Sequence, residues 1–116
     1  MDAPHKTVLV KVNAPVDEGI AEVVGLLNEF PNIYTTQSCQ GRTDGFAFVW
    51  FRVGKSAHEA ADFLVWFTKQ ISIVPGVRVL AEWGGGDSLR LELRIEHPAI
   101  KEIAERLRVI VNERRT

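Results

Sequence analysis

The residues with the greatest chemical potential are five consecutive ones, namely Ser38, Cys39, Gln40, Gly41 and Arg42. A Ser hydroxyl and a Gln amide both donate and accept hydrogen bonds. An Arg guanidinium matches the planar shape of a carboxylate or the oxygens of a phosphate. A glycine lets the backbone approach a ligand closely or take a positive φ. We therefore expect residues 38–42 to bind a small polar or anionic ligand, and the sequence does not indicate which cofactor, if any, is used.

The same five residues also suit an ordinary hairpin connection. In that interpretation Cys39 is a small buried apolar residue, Gly41 serves the turn, and Arg42 is solvated. The three histidines, His5, His58 and His97, have no metal-ligand spacing relative to Cys39. The sequence therefore leaves both interpretations open, and it indicates neither a catalytic residue nor a metal site.

The segment at 35–42 reads Thr-Thr-Gln-Ser-Cys-Gln-Gly-Arg, follows a predicted helix and precedes a predicted strand that contains Trp50. This pattern resembles a motif of the wybutosine-synthesis tRNA methyltransferases, in which a Thr/Ser run precedes Ser-Cys-Ser-Gly-Arg and a Trp-containing strand follows. Gln40 stands where the motif has a Ser. The resemblance implies an α+β fold, S-adenosylmethionine as methyl donor and tRNA as substrate. The matching positions are Ser38, Cys39, Gly41 and Arg42.

The charge balance argues against broad nucleic-acid binding. The chain has 116 residues, with 14 Lys and Arg against 15 Asp and Glu, and its net charge is −1. Nonspecific binding to nucleic acid needs a large positive surface that displaces counterions. The sequence offers one candidate for a local basic track for tRNA, at its C-terminal end: Arg106, Arg108, Arg114 and Arg115.

The cysteine count and the hydropathy pattern predict a cytoplasmic protein. One cysteine cannot form a disulfide within the chain. The first residues lack the apolar core of a signal peptide, and the apolar stretches are too short to cross a bilayer. We therefore expect no membrane partner.

The elements that must position residues 38–42 follow from hydrophobic periodicity. Apolar and β-branched runs predict strands at 7–12, 33–38, 46–53, 77–83 and 89–95. Apolar stripes at helical spacing predict helices that start near Asp17, Ser56 and Pro98, with a Ser56–Glu59 capping box on the second. The last two strands should form an antiparallel hairpin around the glycine turn at 84–87. The order β-α-β-β-α-β-β-α predicts a single α+β domain over residues 1–116, with an antiparallel or mixed sheet and helices mainly on one face, a ferredoxin-like or related sandwich.

Further polar and aromatic residues bear on function. Trp83, beside the glycine turn, is expected to be exposed and able to contact a ligand. The last strand alternates Arg90, Glu92, Arg94 and Glu96, which predicts a solvated face with cross-strand ion pairs or else a polar pocket wall facing Arg78 and Glu82. Most other aromatic residues are expected in the core, including those of the strand at 46–53.

A third hypothesis is an interaction domain without a small-molecule site. Val65 and Trp66 lie off the main apolar stripe of the second helix, and such a pair suits the surface of a homodimer. The sequence thus supports a binding module first, with a tRNA methyltransferase and a homo-oligomeric interaction domain as alternatives.

Overall fold

The structure of the protein is a computed structural model that describes residues 7–9, 15–41, 45–54, 56–83 and 89–115. The strands are Thr7–Leu9 (β1), Pro15–Asp17 (β2), Ile33–Cys39 (β3), Phe46–Val53 (β4), Val77–Trp83 (β5) and Leu89–Glu96 (β6). The helices are Ala21–Leu27 (α1), Ala57–Ile71 (α2) and Ile100–Arg115 (α3), and 3-10 turns at Glu18–Ile20 and His97–Ala99 precede α1 and α3.

The main sheet has four strands in the order β3-β4-β6-β5, and every neighbouring pair is antiparallel. The predicted α+β class and element order are confirmed, and β5 and β6 form the predicted hairpin. The described part of the first strand pairs with β2 in a separate two-stranded sheet. The rest of that predicted strand, 10–12, and the glycine turn at 84–87 lie outside the described residues.

The helices cover one face of the main sheet. On β4 the side chains of Ala47, Val49, Phe51 and Val53 are buried against the helices, while the alternate residues point to the other side. Alternation with period two explains this division, because successive side chains of a strand lie on opposite faces. The uncovered side of the sheet is called the open face below.

The second helix begins as the sequence predicts. Ser56 is extended, and its hydroxyl accepts a hydrogen bond from the Glu59 backbone N–H at 3.1 Å. This bond satisfies one of the donors that a helix leaves unpaired in its first turn. The predicted apolar stripe is buried at Ala60, Phe63, Phe67 and Ile71, and its remaining member, Leu64, is half-buried. The helix therefore has both its start and its buried side encoded locally.

The first helix begins differently from the prediction. Asp17 stands before the 3-10 turn, but its side chain makes no capping hydrogen bond there. Its Oδ2 atom instead accepts a hydrogen bond from the Gln40 backbone N–H at 3.1 Å. Asp17 thus ties the start of the helical segment to the end of β3. None of the helices in the described ranges is both long and apolar enough to span a membrane.

Candidate functional site

The predicted ligand-binding residues lie at the end of β3. Ser38 and Cys39 are the last residues of that strand, and Gln40 and Gly41 follow it. All four are half-buried. Ser38 lies opposite the buried Val49 and Cys39 opposite Phe48, so Cys39 belongs to the open face. Arg42 lies outside the described residues.

Gln40 holds the chain segments together at this end of the sheet. Its backbone N–H bonds to Asp17, and its side-chain Oε1 accepts a hydrogen bond from the Gly19 backbone N–H at 2.7 Å. Both contacts lead to the segment before α1. The carbonyl oxygen of the Gln40 side chain therefore has a structural partner already.

Gly41 brings the turn against the start of β4. Its φ is +71°, in the left-handed region that glycine adopts without strain. A Cβ atom at this position would lie 2.1 Å from the Phe46 carbonyl oxygen, which no side chain tolerates. Gly41 is therefore required by backbone geometry, and it places the predicted turn beside Phe46.

Trp83 is exposed, as predicted, but it lies far from the turn at 38–42. Its side chain is 61% exposed. It belongs to β5, and the strands β4 and β6 lie between β5 and β3. Trp83 also pairs with Leu89, at the end of the sheet opposite to the end where Cys39 pairs with Phe48. The structure therefore does not bring Trp83 together with Ser38, Cys39, Gln40 and Gly41.

The open face carries a cavity of about 330 Å³ near the start of β4. Its lining residues come from three strands and the turn before β5, and they are Phe46, Gly76, Val77, Arg78, Arg94 and Glu96. The strand register places them together, because Phe46 pairs with Glu96 while Arg94 pairs with both Phe48 and Arg78. Cys39 continues the row formed by Arg78, Arg94 and Phe48, so the predicted turn borders this part of the open face.

Aromatic rings and arginines cover each other along the open face. The Arg94 guanidinium carbon lies 4.6 Å from the centre of the Phe46 ring, and that of Arg90 lies 4.2 Å from the Trp50 ring. Such contacts are attractive because the face of an aromatic ring carries negative charge. They also hold each guanidinium group over a ring.

Ion pairs complete this surface. Arg90 pairs with Glu82 and Arg94 with Glu92, each at 2.8 Å. The predicted cross-strand ion pairs are thereby confirmed for Arg90 and Glu82. Arg78 differs, because it is exposed and forms no ion pair with any residue that the structure describes. Arg78 is the cavity's unpaired cation among the described side chains.

The prediction that the aromatic residues of β4 lie mostly in the core is wrong for three of the four. Phe46 is 47% exposed, and Phe48 and Trp50 are half-buried on the open face, whereas Phe51 is fully buried. Sequence hydropathy could not separate them, because none of the described helices covers the open face and arginine side chains lie over the Phe46 and Trp50 rings instead. From the sequence, a pocket wall with Arg78 and Arg94 was the second interpretation of these strands, after a solvated face, and Phe46 was expected in the core. The available signal was the alternation of Arg78 with the apolar residues of β5.

Two of the four arginines of the predicted basic track, Arg106 and Arg108, hold helices together, whereas the side chains of Arg114 and Arg115 lie outside the described part of the structure. The Arg106 Nε donates to the Gln70 carbonyl oxygen at 2.8 Å, which joins α3 to α2. Arg108 forms an ion pair with Glu22, which joins α3 to α1. These contacts give Arg106 and Arg108 partners within the domain, which reduces the charge available for a tRNA track.

Comparisons with protein-family models, with curated proteins and with solved structures found no match to this chain. Among the described residues, no three His, Cys, Asp or Glu side chains are grouped so that they could hold a metal ion. The chemistry of the site is therefore inferred from the arginines and rings of the open face.

Proposed function

We propose that this domain binds a small anionic ligand with a planar ring in the open-face cavity beside the turn at 38–42. The observation that carries this proposal is the convergence of Arg78, Arg94 and the Phe46 ring on one cavity. Its volume, about 330 Å³, falls in the range of about 300–1,000 Å³ that is typical of small-molecule sites.

The two arginines suit different parts of such a ligand. Arg78 has no carboxylate partner among the described residues, so an anionic group can pair with it without breaking an existing ion pair. Arg94 is held by Glu92 and by the Phe46 ring, so its remaining N–H groups are oriented in advance. Pre-orientation lowers the entropy that binding would otherwise cost. A planar ring can contact the exposed part of Phe46.

Glu96 sets a limit on the charge of the ligand. It lines the same cavity and is exposed, and the three charged lining residues that the structure describes, Arg78, Arg94 and Glu96, carry a net charge of +1. A carboxylate repels a second anion, and this repulsion favours a ligand with one anionic group over a polyanion. None of Ser38, Cys39, Gln40 and Gly41 is among the described lining residues, but Gly41 lies against the Phe46 backbone and Cys39 pairs with Phe48.

A thermal-shift experiment tests the proposal with adenosine 5′-monophosphate, which combines a ring and a phosphate, and with adenosine and inorganic phosphate as partial probes. A ligand that binds only the folded state raises the melting temperature. We expect adenosine 5′-monophosphate to give the largest shift. Arg78→Ala should weaken its binding about ten- to a hundredfold, the loss typical of one charged hydrogen-bonded contact.

Arg52→Ala is the matched control, because Arg52 is an exposed arginine of β4 at the far end of the sheet, opposite Arg90. It should bind the nucleotide like the unmodified protein. The proposal fails if no shift occurs with any of the three probes, or if Arg52→Ala and Arg78→Ala lose affinity equally.

The two alternatives from the sequence stay predictions and are tested in the same preparation. A shift with S-adenosylmethionine that Arg42→Ala abolishes would support a methyltransferase-type site. A homodimer, measured by analytical ultracentrifugation together with no shift for any probe, would support the interaction domain. Cytoplasmic location also stays a prediction.

A further inference from the structure

A second cavity lies on the helical side of the domain, at the other end of β4. It has a volume of about 190 Å³ and lies between the connection from α1 to β3 and the first half of α2. We call this cavity the aromatic cleft. Its described lining residues are Phe30, Pro31, Asn32, Ile33, Val53, Glu59, Asp62, Phe63 and Trp66. None of these belongs to the open-face cavity, so the two sites are independent.

The walls of the aromatic cleft include three packed rings. The ring centres of Phe30 and Phe63 lie 5.7 Å apart, and that of Trp66 lies 5.9 Å from Phe30 and 5.8 Å from Phe63. Phe30 and Phe63 are buried, whereas Trp66 is half-buried at the surface. Rings in mutual contact keep their orientation, so this wall is formed before any ligand binds.

Glu59 supplies a carboxylate without a hydrogen-bond donor. Its Oε2 atom is buried and accepts no hydrogen bond from the residues that the structure describes. A Cβ atom at Gly54 would lie 1.7 Å from this oxygen, so the glycine makes room for the carboxylate against the backbone. Because this oxygen is closed to solvent, water screens the charge of the carboxylate less than that of an exposed group, so the carboxylate attracts a cation in the cleft more strongly.

The described lining residues of the aromatic cleft carry negative charge. Glu59 and Asp62 lie one helical turn apart on α2, at the spacing that puts two side chains on the same helix face. Among the residues that the structure describes, those that line the cleft include no lysine, arginine or histidine. His58 contacts Asp62 at 3.5 Å from outside the cleft, with its side chain 90% exposed.

We infer that the aromatic cleft binds a primary ammonium group on a short aliphatic stem. The ammonium would pair with the charges of Glu59 and Asp62, donate hydrogen bonds to the accessible oxygens of these carboxylates and lie against the aromatic wall. Carboxylates and aromatic faces both attract a cation, and an apolar stem suits the Phe30 and Phe63 side of the cleft. A quaternary ammonium carries the same charge but has no N–H to donate, and an alcohol has a donor but no charge.

Three probes of similar length separate these contributions: n-butylamine as its ammonium ion, butyltrimethylammonium and 1-butanol. Binding is followed by two-dimensional NMR of the indole N–H signals, since the chain has three tryptophans and only Trp66 lines the cleft. We expect n-butylammonium to shift the Trp66 signal in a saturable manner and to leave those of Trp50 and Trp83 unchanged. The other two probes should bind at least tenfold more weakly.

Nα-acetyl-lysine N-methylamide distinguishes the source of the amine. If it binds at least as tightly as n-butylammonium, the natural ligand is a lysine side chain of a peptide, and if it binds more weakly, the ligand is a free amine. Both outcomes support the ammonium site.

Two variants assign the contacts. Glu59→Gln keeps the size of the side chain but removes its charge, and we expect it to weaken n-butylammonium binding about ten- to a hundredfold. Asp62→Asn, at an exposed position whose change should not disturb folding, should weaken it by a smaller factor. Glu105→Gln, which changes an exposed glutamate of α3, is the matched control and should bind normally. The inference is overturned if butyltrimethylammonium or 1-butanol binds as well as n-butylammonium, or if Asp62→Asn and Glu59→Gln bind like Glu105→Gln.

Discussion

At the scale of the single residue, Gln40 has a role that its side-chain chemistry did not reveal. An amide after a strand fits a ligand site, but this amide accepts a hydrogen bond from Gly19, which is 21 positions earlier in the chain. The backbone N–H of Gln40 bonds to Asp17, 23 positions earlier. Local sequence predicts neither partner, because these segments come together only when the chain folds. The residue types of the turn predict that it forms hydrogen bonds, but they do not predict whether the partners are a ligand or other parts of the chain.

Gln40→Ala should therefore lower stability rather than ligand affinity. Removing a hydrogen bond of this kind costs about 0.5–1.5 kcal/mol of unfolding free energy. Urea unfolding measures the loss, and thermal-shift titration with adenosine 5′-monophosphate measures the affinity. Gln37→Ala is the control, since Gln37 is an exposed glutamine of the same strand and should leave both quantities unchanged. If the Gln40→Ala protein has normal stability but does not bind the nucleotide, the Gln40 side chain contacts the ligand and this prediction is wrong.

At the scale of the element, prediction succeeds where the signal is local. The start of α2 follows from Ser56 and Glu59, and its buried side follows from apolar residues at helical spacing. The alternation of β6 likewise matches its burial, with Leu91, Leu93 and Ile95 inside. The segment before α1 is different, because Asp17 has the right type for a cap but a distant partner takes its carboxylate. Local patterns define elements well until a tertiary contact competes for the same group.

Ser56→Ala should destabilise the domain through the start of α2. Loss of an N-cap hydroxyl costs about 1 kcal/mol, because the Glu59 N–H loses its acceptor. Ser72→Ala changes a serine at the other end of the same helix, where the exposed hydroxyl bonds only to the Lys69 carbonyl oxygen. We expect that control to cost much less in chemical denaturation. If Ser56→Ala and Ser72→Ala lose the same unfolding free energy, the Ser56 hydroxyl does not stabilise the domain by capping the helix.

At the scale of the whole molecule, the strand order assembles a site that no segment contains. Phe46, Arg78 and Arg94 are separated by more than a dozen residues each, and the register of three antiparallel strands brings them together. Alternation predicted which side chains of each strand share a face, but not which strands are neighbours. The sequence therefore supports the class of fold and the polar pattern of β6, whereas the position of the cavity depends on pairing that acts across the whole chain.

The two faces of β4 should respond oppositely to the same substitution. Phe51 is fully buried and packs against the rings of Phe63 and Phe67, so Phe51→Ala should cost about 3–5 kcal/mol of unfolding free energy. Phe46→Ala, on the open face, should cost far less but weaken nucleotide binding. Urea denaturation and thermal-shift titration of both variants check this division. A large stability loss in Phe46→Ala would mean that the open face is part of the core.

The irregularity in β3 makes the two edge strands of the described main sheet, β3 and β5, unequal. The pairing of β3 with β4 shifts between Thr35 and Gln37, and the Thr36 hydroxyl donates to the Trp50 carbonyl oxygen. Such a bulge bends a strand and increases its twist, so a straight strand from another molecule cannot pair along the whole of β3. The opposite edge, β5, pairs without a shift from Val77 to Trp83 and presents a regular backbone on its outer side. If two copies of this chain associate by extending the sheet, the interface is therefore expected along β5. The pair would then share one continuous eight-stranded sheet.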